Sequence, residues 1–318
     1  MRVLFAGTPA IAVPSLRALA AGHEVVGVLT NPDTAAGRKL QTSQSAVKSA
    51  ALELGLPVLQ PARLDAEARD AVAALRPDIL VCVAYGFIFG PKFLALFPQG
   101  GVNLHPSLLP RFRGPSPISA AILAGDSETG ITVQRLALAM DAGDILVQER
   151  FPLSGRETTA SLTDYCAEAG APLVLRALAG LADGSLRGQP QDGSQASFCR
   201  LIERQDARID WQRPALEIDR QVRAFDPWPR AYSEWNGETL TVLESLPLPD
   251  VSAPAGTPAA PAAVPGSVLR VDKSAGILVQ TGQGLLALRR LQLPTKKALD
   301  YQSFANGVRG FVGSILGA

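Results

Sequence analysis

Short apolar runs alternate with helically spaced stretches through the first half of the chain. Arg2–Ala6 (RVLFA) has the length and texture of a buried strand, and Gly7-Thr8-Pro9 makes the turn that opens a helix carrying Ile11, Val13, Leu16 and Leu19. Gly22 stops that helix, and a second strand follows at Glu24–Leu29 (EVVGVL). Further strands fit Val58–Leu59, Asp78–Val83 (DILVCV) and Gly101–Leu104, with alanine-rich helical stretches between most of them. Such alternation predicts right-handed crossovers and a Rossmann-like, doubly wound, mostly parallel α/β sheet. Its ligand site is expected at the carboxyl ends of the strands. The Gly7-Thr8-Pro9 turn lacks the G-x-G-x-x-G spacing of a pyrophosphate cradle, so it reads as a structural turn and not as an NAD or ATP site.

A helical stretch over Arg156–Ala182 closes this domain, and the polar, glycine-bearing DGSLRGQPQDGSQ after it looks like a linker. From Arg208 the texture changes to Thr239–Leu243, Gly266–Val271, Gly276–Thr281 and Leu285–Leu291, short strands between glycine turns that suggest a small barrel. The expected division is therefore a catalytic α/β domain over 1–189, a linker over 190–207 and a β-barrel over 208–318. The proline- and alanine-rich stretch Pro247–Pro265 reads as an exposed inserted loop.

Composition narrows the function by exclusion. Of 318 residues 47% are hydrophobic and 19% charged, and 30 basic against 29 acidic side chains leave a net charge of +1. Bulk charge does not announce a nucleic-acid binder, so any such role must rest on local patches. Cys82, Cys166 and Cys199 are scattered without a CxxC spacing, and no secretory leader precedes them, which predicts reduced thiols in a cytoplasmic protein. No apolar run approaches the ~20 residues that span a bilayer. With only His23 and His105, a histidine-rich metal site is not expected. His23 falls between a helix end and a strand, where a capping or surface role fits.

The densest cluster of unusual residues runs from Gly101 to Ile118 (GVNLHPSLLPRFRGPSPI). Period-two geometry puts Asn103 and His105 on one face of a strand end and Leu104 on the other. An amide beside an imidazole can bind the oxygen of a carbonyl turning tetrahedral. Downstream, Met140–Asp144 (MDAGD) brings carboxylates on a glycine-containing loop, and an Asp beside a His can orient the ring and raise its pKa. Taken singly, Asn-x-His equally describes a hydrogen-bonded structural pair, and Asp-x-Gly-Asp a turn.

The combination is more specific. Asn103-x-His105 followed by Ser107-Leu108-Leu109-Pro110 and Arg111-Phe112-Arg113-Gly114, with Asp141 placed 36 residues after His105, resembles the signature of the 10-formyltetrahydrofolate-dependent formyltransferase family. FAGTP at Phe5–Pro9, VVGVLTNPD at Val25–Asp33, VAYGFIF at Val83–Phe89 and AGDSETGIT at Ala124–Thr132 extend the resemblance. It implies Asn103, His105 and Asp141 as the catalytic trio. On that resemblance a substrate amine would attack the formyl carbon on N10 of the folate, Asn103 and protonated His105 would hold the oxyanion, and Asp141 would keep His105 cationic and help move the proton. It also implies a folate pocket shaped by Ser107, Leu108, Leu109 and Pro110 with Tyr85, Gly86, Phe87 and Ile88, and a reaction without metal. Ser107 has no evident base beside it and is not read as a nucleophile.

The amine acceptor is read from the rest of the chain. Asn31–Lys48 is a long polar segment with Arg38, Lys39 and Lys48 against Asp33. It resembles the inserted loop with which the family's tRNA-formylating members approach an acceptor end. It departs from their pattern in a shortened glycine-lysine step and in Gln41–Ser45, which replaces a proline-containing stretch. Arg208–Trp211, Arg223–Pro229, Thr295–Lys297 and Phe304–Gly307 resemble, in order and spacing, the OB-like C-terminal domain of those members. The basic cluster Arg289, Arg290, Lys296 and Lys297 would contact phosphate there. Phe225, Trp228, Tyr232 and Trp235 read as interdomain and barrel core more than a stacking platform. The implied partner is initiator methionyl-tRNA, formylated by a monomer. The alternatives are a formyltransferase acting on a sugar amine and a 10-formyltetrahydrofolate hydrolase, neither of which needs the basic 31–48 segment. A tRNA-binding module with a degenerate folate site is a third, opposed by the intact trio.

Overall fold

A computed structural model describes residues 1–36, 41–248 and 263–317. Arg38 and Lys39 lie outside the described residues, as does most of the Pro247–Pro265 stretch. Two compact units emerge, one made of 1–117, 128–152 and 161–200, the other of 118–127, 153–160 and 201–318.

In the first unit the strands are β1 (Arg2–Gly7), β2 (Glu24–Leu29), β3 (Thr34–Ala36), β4 (Gln41–Ser43), β5 (Val58–Leu59), β6 (Ile79–Val83), β7 (Gly101–His105), β8 (Glu128–Arg135) and β9 (Ile145–Pro152). Seven of them form one sheet in the order β5-β2-β1-β6-β7-β8-β9. The first five run parallel, β8 pairs antiparallel with β7, and β9 antiparallel with β8. The apolar runs coincide with β1, β2, β6 and β7 because parallel strands covered on both faces carry no polar alternation. Helices α1 (Val13–Gly22), α2 (Ala46–Glu53), α3 (Ala66–Ala74) and α4 (Pro91–Leu94) make the crossovers. Helix α5 (Pro117–Ala124) leads into β8, and the long α6 (Thr159–Ala182) follows β9. Ser45 and Asp65 cap α2 and α3 by accepting from the Lys48 and Ala68 amides. His23 is the C-cap of α1, its amide donating to Leu19 O. One core cluster stacks Tyr85, Phe89, Phe93 and Phe97 in a row at 5.3–5.8 Å between centroids.

Within the 31–48 segment β3 and β4 pair antiparallel. Lys48 Nζ meets Asp33 Oδ2 at 2.5 Å, and Asp33 also accepts from Gln60. Lys48 is thereby tied into a local ion pair.

In the second unit β10 (Tyr232–Trp235), β11 (Glu238–Leu248), β12 (Val268–Asp272), β13 (Gly276–Gln280) and β14 (Leu285–Gln292) pair antiparallel in the order β10-β11-β14-β13-β12, a half-barrel, with β15 (Leu299–Asp300) added to β14. Pro247 belongs to β11 and lies opposite Leu286. It is tolerated there because β10 pairs only as far as Thr241, leaving one edge of β11 without a strand among the described residues. Helix α7 (Ala215–Ala224) buries Ile218 and Val222 in the core of this unit, where Trp211, Trp235, Phe304 and Phe311 interlock. Phe225 is buried as expected, but Trp228 is 59% exposed.

Candidate active site

Strand register builds the site. Asn103 stands opposite Gln134, and His105 opposite Thr132, across the antiparallel β7–β8 pair; Thr132 in turn faces Gln148 on β9. Cross-strand partners share a face, so one end of the sheet carries a polar row inside a buried setting. Gln134 is 2% exposed and Thr132 fully buried. Leu104 points the other way, against Gly170 of α6, where an added Cβ would come within 2.4 Å of Leu104 Cδ1. The period-two reading of Asn103 and His105 therefore matches the observed geometry.

The segment between β8 and β9 folds back over this row. Arg135 N donates to Asp144 O at 2.8 Å, and Gly143 passes so close that a Cβ would lie 1.8 Å from Arg135 O. Asp141 at the top of the bend has φ +50°, a left-handed conformation that Asp tolerates better than most residues. Its carboxylate collects the site: Oδ1 accepts from Gln134 Nε2 at 2.9 Å and lies 3.5 Å from Asn103 Nδ2 and 3.7 Å from His105 Nδ1, while Oδ2 accepts from Gly114 N at 2.8 Å. His105 Nε2 is 2.9 Å from Phe112 O, a contact that fits the tautomer with the proton on Nε2.

Electrostatics bears on the charge of His105. His105 is 4% exposed, and burial pushes its pKa below the usual histidine value; the Asp141 carboxylate and the Phe112 carbonyl only partly offset this. That direction favours the neutral imidazole over a standing imidazolium. Burial likewise drives the Cys82 thiol up to about 12.

The expected pocket residues fall into two groups. Ser107 and Leu109 are buried, and so is Tyr85 in the aromatic row. Ser107 Oγ donates to Arg111 O at 2.7 Å, and Thr132 Oγ1 to Ser107 O at 2.7 Å, so this loop is fixed from beneath. Gly86 and Ile88 are exposed, Ile88 at 74%, and Phe87, Leu108 and Pro110 are half-buried. Sequence reasoning missed Gln134 and also Gln191, whose Nε2 donates to Asp141 O at 2.9 Å. A lone buried amide inside the apolar ITV-Q-RLAL run was the available signal for Gln134; Gln191 carried none. Arg289, Arg290, Lys296 and Lys297 all lie on the second unit, exposed, on β14 and the turn after it. Arg289 Nε donates to Ala275 O, and Arg290 faces Glu244 at 3.5 Å.

The formyl transferase family model matches residues 1–178, and that of the formyl transferase C-terminal domain matches 201–309. The methionyl-tRNA formyltransferase of Treponema denticola is 44% identical over 98% of both chains, and that of Pseudomonas fluorescens 45% identical over all of this chain and 98% of its own. The chain belongs to the methionyl-tRNA formyltransferase family. In fold, it is similar to HypX from Aquifex aeolicus, solved in complex with tetrahydrofolic acid, at TM-score 0.61 and 19% identity over 99% of this chain and 48% of that one. Asn103, His105 and Asp141, which the family resemblance singled out, are the residues that the fold brings onto one carboxylate. Among the described residues, no helix of this enzyme is long and apolar enough to cross a membrane.

Proposed function

We propose that this enzyme moves the formyl group of 10-formyltetrahydrofolate onto the free amino group of initiator methionyl-tRNA in the cytoplasm, by direct attack and without a covalent enzyme intermediate. The observation that carries the reading is the convergence of Asn103, His105 and Gln134 on Asp141 at the carboxyl end of β7. Asn103 Nδ2 holds Asp141 only at 3.5 Å, a weak bond that leaves the amide free to donate to an oxyanion. Neutral His105 beside a carboxylate has room for one proton. With Nε2–H given to Phe112 O, the open position is Nδ1, facing Asp141 Oδ1. The proton lost by the attacking amine goes there, the imidazolium adds its charge to oxyanion stabilisation, and the proton leaves with N10 as the C–N10 bond breaks.

Half-buried Phe87, Leu108 and Pro110 with exposed Gly86 and Ile88 offer contact surface to the folate, and buried Tyr85, Ser107 and Leu109 support them. The exposed cations Arg289, Arg290, Lys296 and Lys297, with Arg38 and Lys39 of the 31–48 segment, face tRNA phosphate. The catalytic assignment is tested by His105→Ala and Asp141→Asn with both substrates. Loss of positioned acid–base help costs about 10²–10⁴-fold in kcat, with KM largely kept. His105→Ala retaining more than about a tenth of wild-type kcat overturns it.

A further inference from the structure

Gln191 belongs to the polar stretch after α6, yet its side chain is built into the floor of the site. Its Nε2 donates to the carbonyls of Asp141 (2.9 Å) and Gly143 (2.7 Å) and lies 3.2 Å from Gln134 Oε1. Its Oε1 accepts from Arg113 Nε (3.1 Å) and Nη2 (2.8 Å). The amide thus joins three things that sequence separates: the Asp141 bend, the β8 amide that bonds Asp141, and the loop after His105.

The backbone on either side of Gln191 is fastened to the same elements. Gln189 and Ile145 exchange both backbone hydrogen bonds at 2.8 Å, holding the start of β9. Arg113 N donates to Ser197 O, and Cys199 N to Arg113 O, both at 2.8 Å, while Phe112 N donates to Ser197 Oγ at 2.9 Å. Cys199 O leaves Gly114 no room for a Cβ, which would lie 2.2 Å away. Gly114 N in turn donates to Asp141. Residues 189–199 therefore grip the loops that carry both of the oxygen atoms facing His105, Asp141 Oδ1 and Phe112 O.

Asp141 needs this support. It occupies a left-handed conformation at the tip of a bend, and its Oδ1 must hold position against His105 and Asn103. A displacement of about 1 Å at such a group costs on the order of 10²-fold in rate. We propose that Gln191 is a positioning residue for the formyl transfer, fixing the Asp141 bend through its two carbonyls and through Gln134; this rests on the assignment of Asp141 to the catalytic trio.

The charged or titratable groups around the His105 ring are Asp141 itself, Cys82 and Cys199, which both feel Asp141, and Arg113 on the far side of Gln191. The test uses Gln191→Met, nearly the same length without donor or amide oxygen. Assayed with 10-formyltetrahydrofolate and methionyl-tRNA, kcat should fall about 10–100-fold while both KM values stay within about threefold. Removing Asp141 from its place withdraws the influence that raises the His105 pKa, so the His105 titration followed by NMR should move to lower pH. Assignment is direct because His23 is the only other histidine. Gln191→Glu should lose kcat as well. It pairs more strongly with Arg113, which favours folding, but offers no N–H to the two carbonyls. A loss of melting temperature with kcat preserved, or a kcat loss with the His105 titration unmoved, overturns the proposal. Asp141→Asn run alongside separates the two claims: if it is fully active, the catalytic reading fails; if it is inactive while Gln191→Met and Gln191→Glu are not, only the positioning role fails.

Discussion

His105 is held between opposed influences, and the balance has a consequence for stability. Burial lowers its pKa in the fold below the ordinary histidine value of 6.5, so the unfolded chain takes up a proton that the folded one refuses. Its contribution is present above pH 6.5 and is lost as the pH falls below it. His23, also lowered, acts in the same direction. The buried thiols act at the other end: Cys82 and Cys166 are raised from 9.0 to about 12, so their contribution is complete below pH 9 and is lost as the pH climbs from there. Denaturant unfolding should thus show a maximum between about pH 6.5 and 9. His105→Gln should flatten the upper part of the acid limb, and Cys82→Ala the alkaline limb. Lowered carboxylates such as Asp33 and Asp183, whose ordinary value is 3.8, lose their contribution only at more acid pH and leave the His window clear. Identical acid limbs for wild type and His105→Gln would show that the ring is not buried neutral.

At the scale of elements, the bend between β8 and β9 is where packing meets chemistry. Gly143→Ala places a Cβ 1.8 Å from Arg135 O, a backbone atom that cannot rotate aside. Overpacking of this kind costs about 1–3 kcal/mol, and the forced shift lies two residues from Asp141. We expect a lower urea midpoint together with a kcat loss larger than the stability loss explains. Gly22→Ala, at the end of α1 with nothing within 4 Å, is the control and should stay within about 0.5 kcal/mol of wild type. If Gly143→Ala behaves like Gly22→Ala, the bend is not tightly packed. What the sequence revealed about these elements follows from periodicity. Apolar runs located β1, β2, β6 and β7, and alternation between glycine turns located β11 to β14. The antiparallel return of β8 and β9 was not legible, because β9 mixes Gln148, Glu149 and Arg150 into its run and carries no single-period signal. Asn103, His105 and Asp141 were legible as a spaced motif. Gln134 and Gln191 were not, since their roles come from the β7–β8 register and from a hydrogen bond spanning about fifty residues of chain. Nor could a loop without periodicity say that Tyr85 and Ser107 are buried while Ile88 is exposed.

The whole molecule must recognise a large polyanion with a net charge of only +1, so attraction to tRNA has to be local. Arg289, Arg290, Lys296 and Lys297 are the locality we propose on the second unit, but they are not equivalent. Arg290 already faces Glu244, and Arg289 is bound to the carbonyl of Ala275, whereas Lys296 and Lys297 are exposed side chains at the turn after β14. Exposed pairs of this kind hold their partners by about 0–1 kcal/mol, weak enough to be exchanged for phosphate. Replacing all four by Gln should raise KM for methionyl-tRNA, leave folate binding unchanged, and flatten the plot of log affinity against log salt by roughly 0.7–0.9 for each phosphate no longer neutralised. Restoring the lysines alone should recover more of that slope than restoring Arg290, which first has to leave Glu244. Arg38→Ala is expected to differ in kind: an arginine that positions the acceptor end lowers kcat as well as affinity. If all five substitutions leave the salt dependence of methionyl-tRNA kinetics unchanged, these cations are solvated surface and the tRNA must be held by other residues.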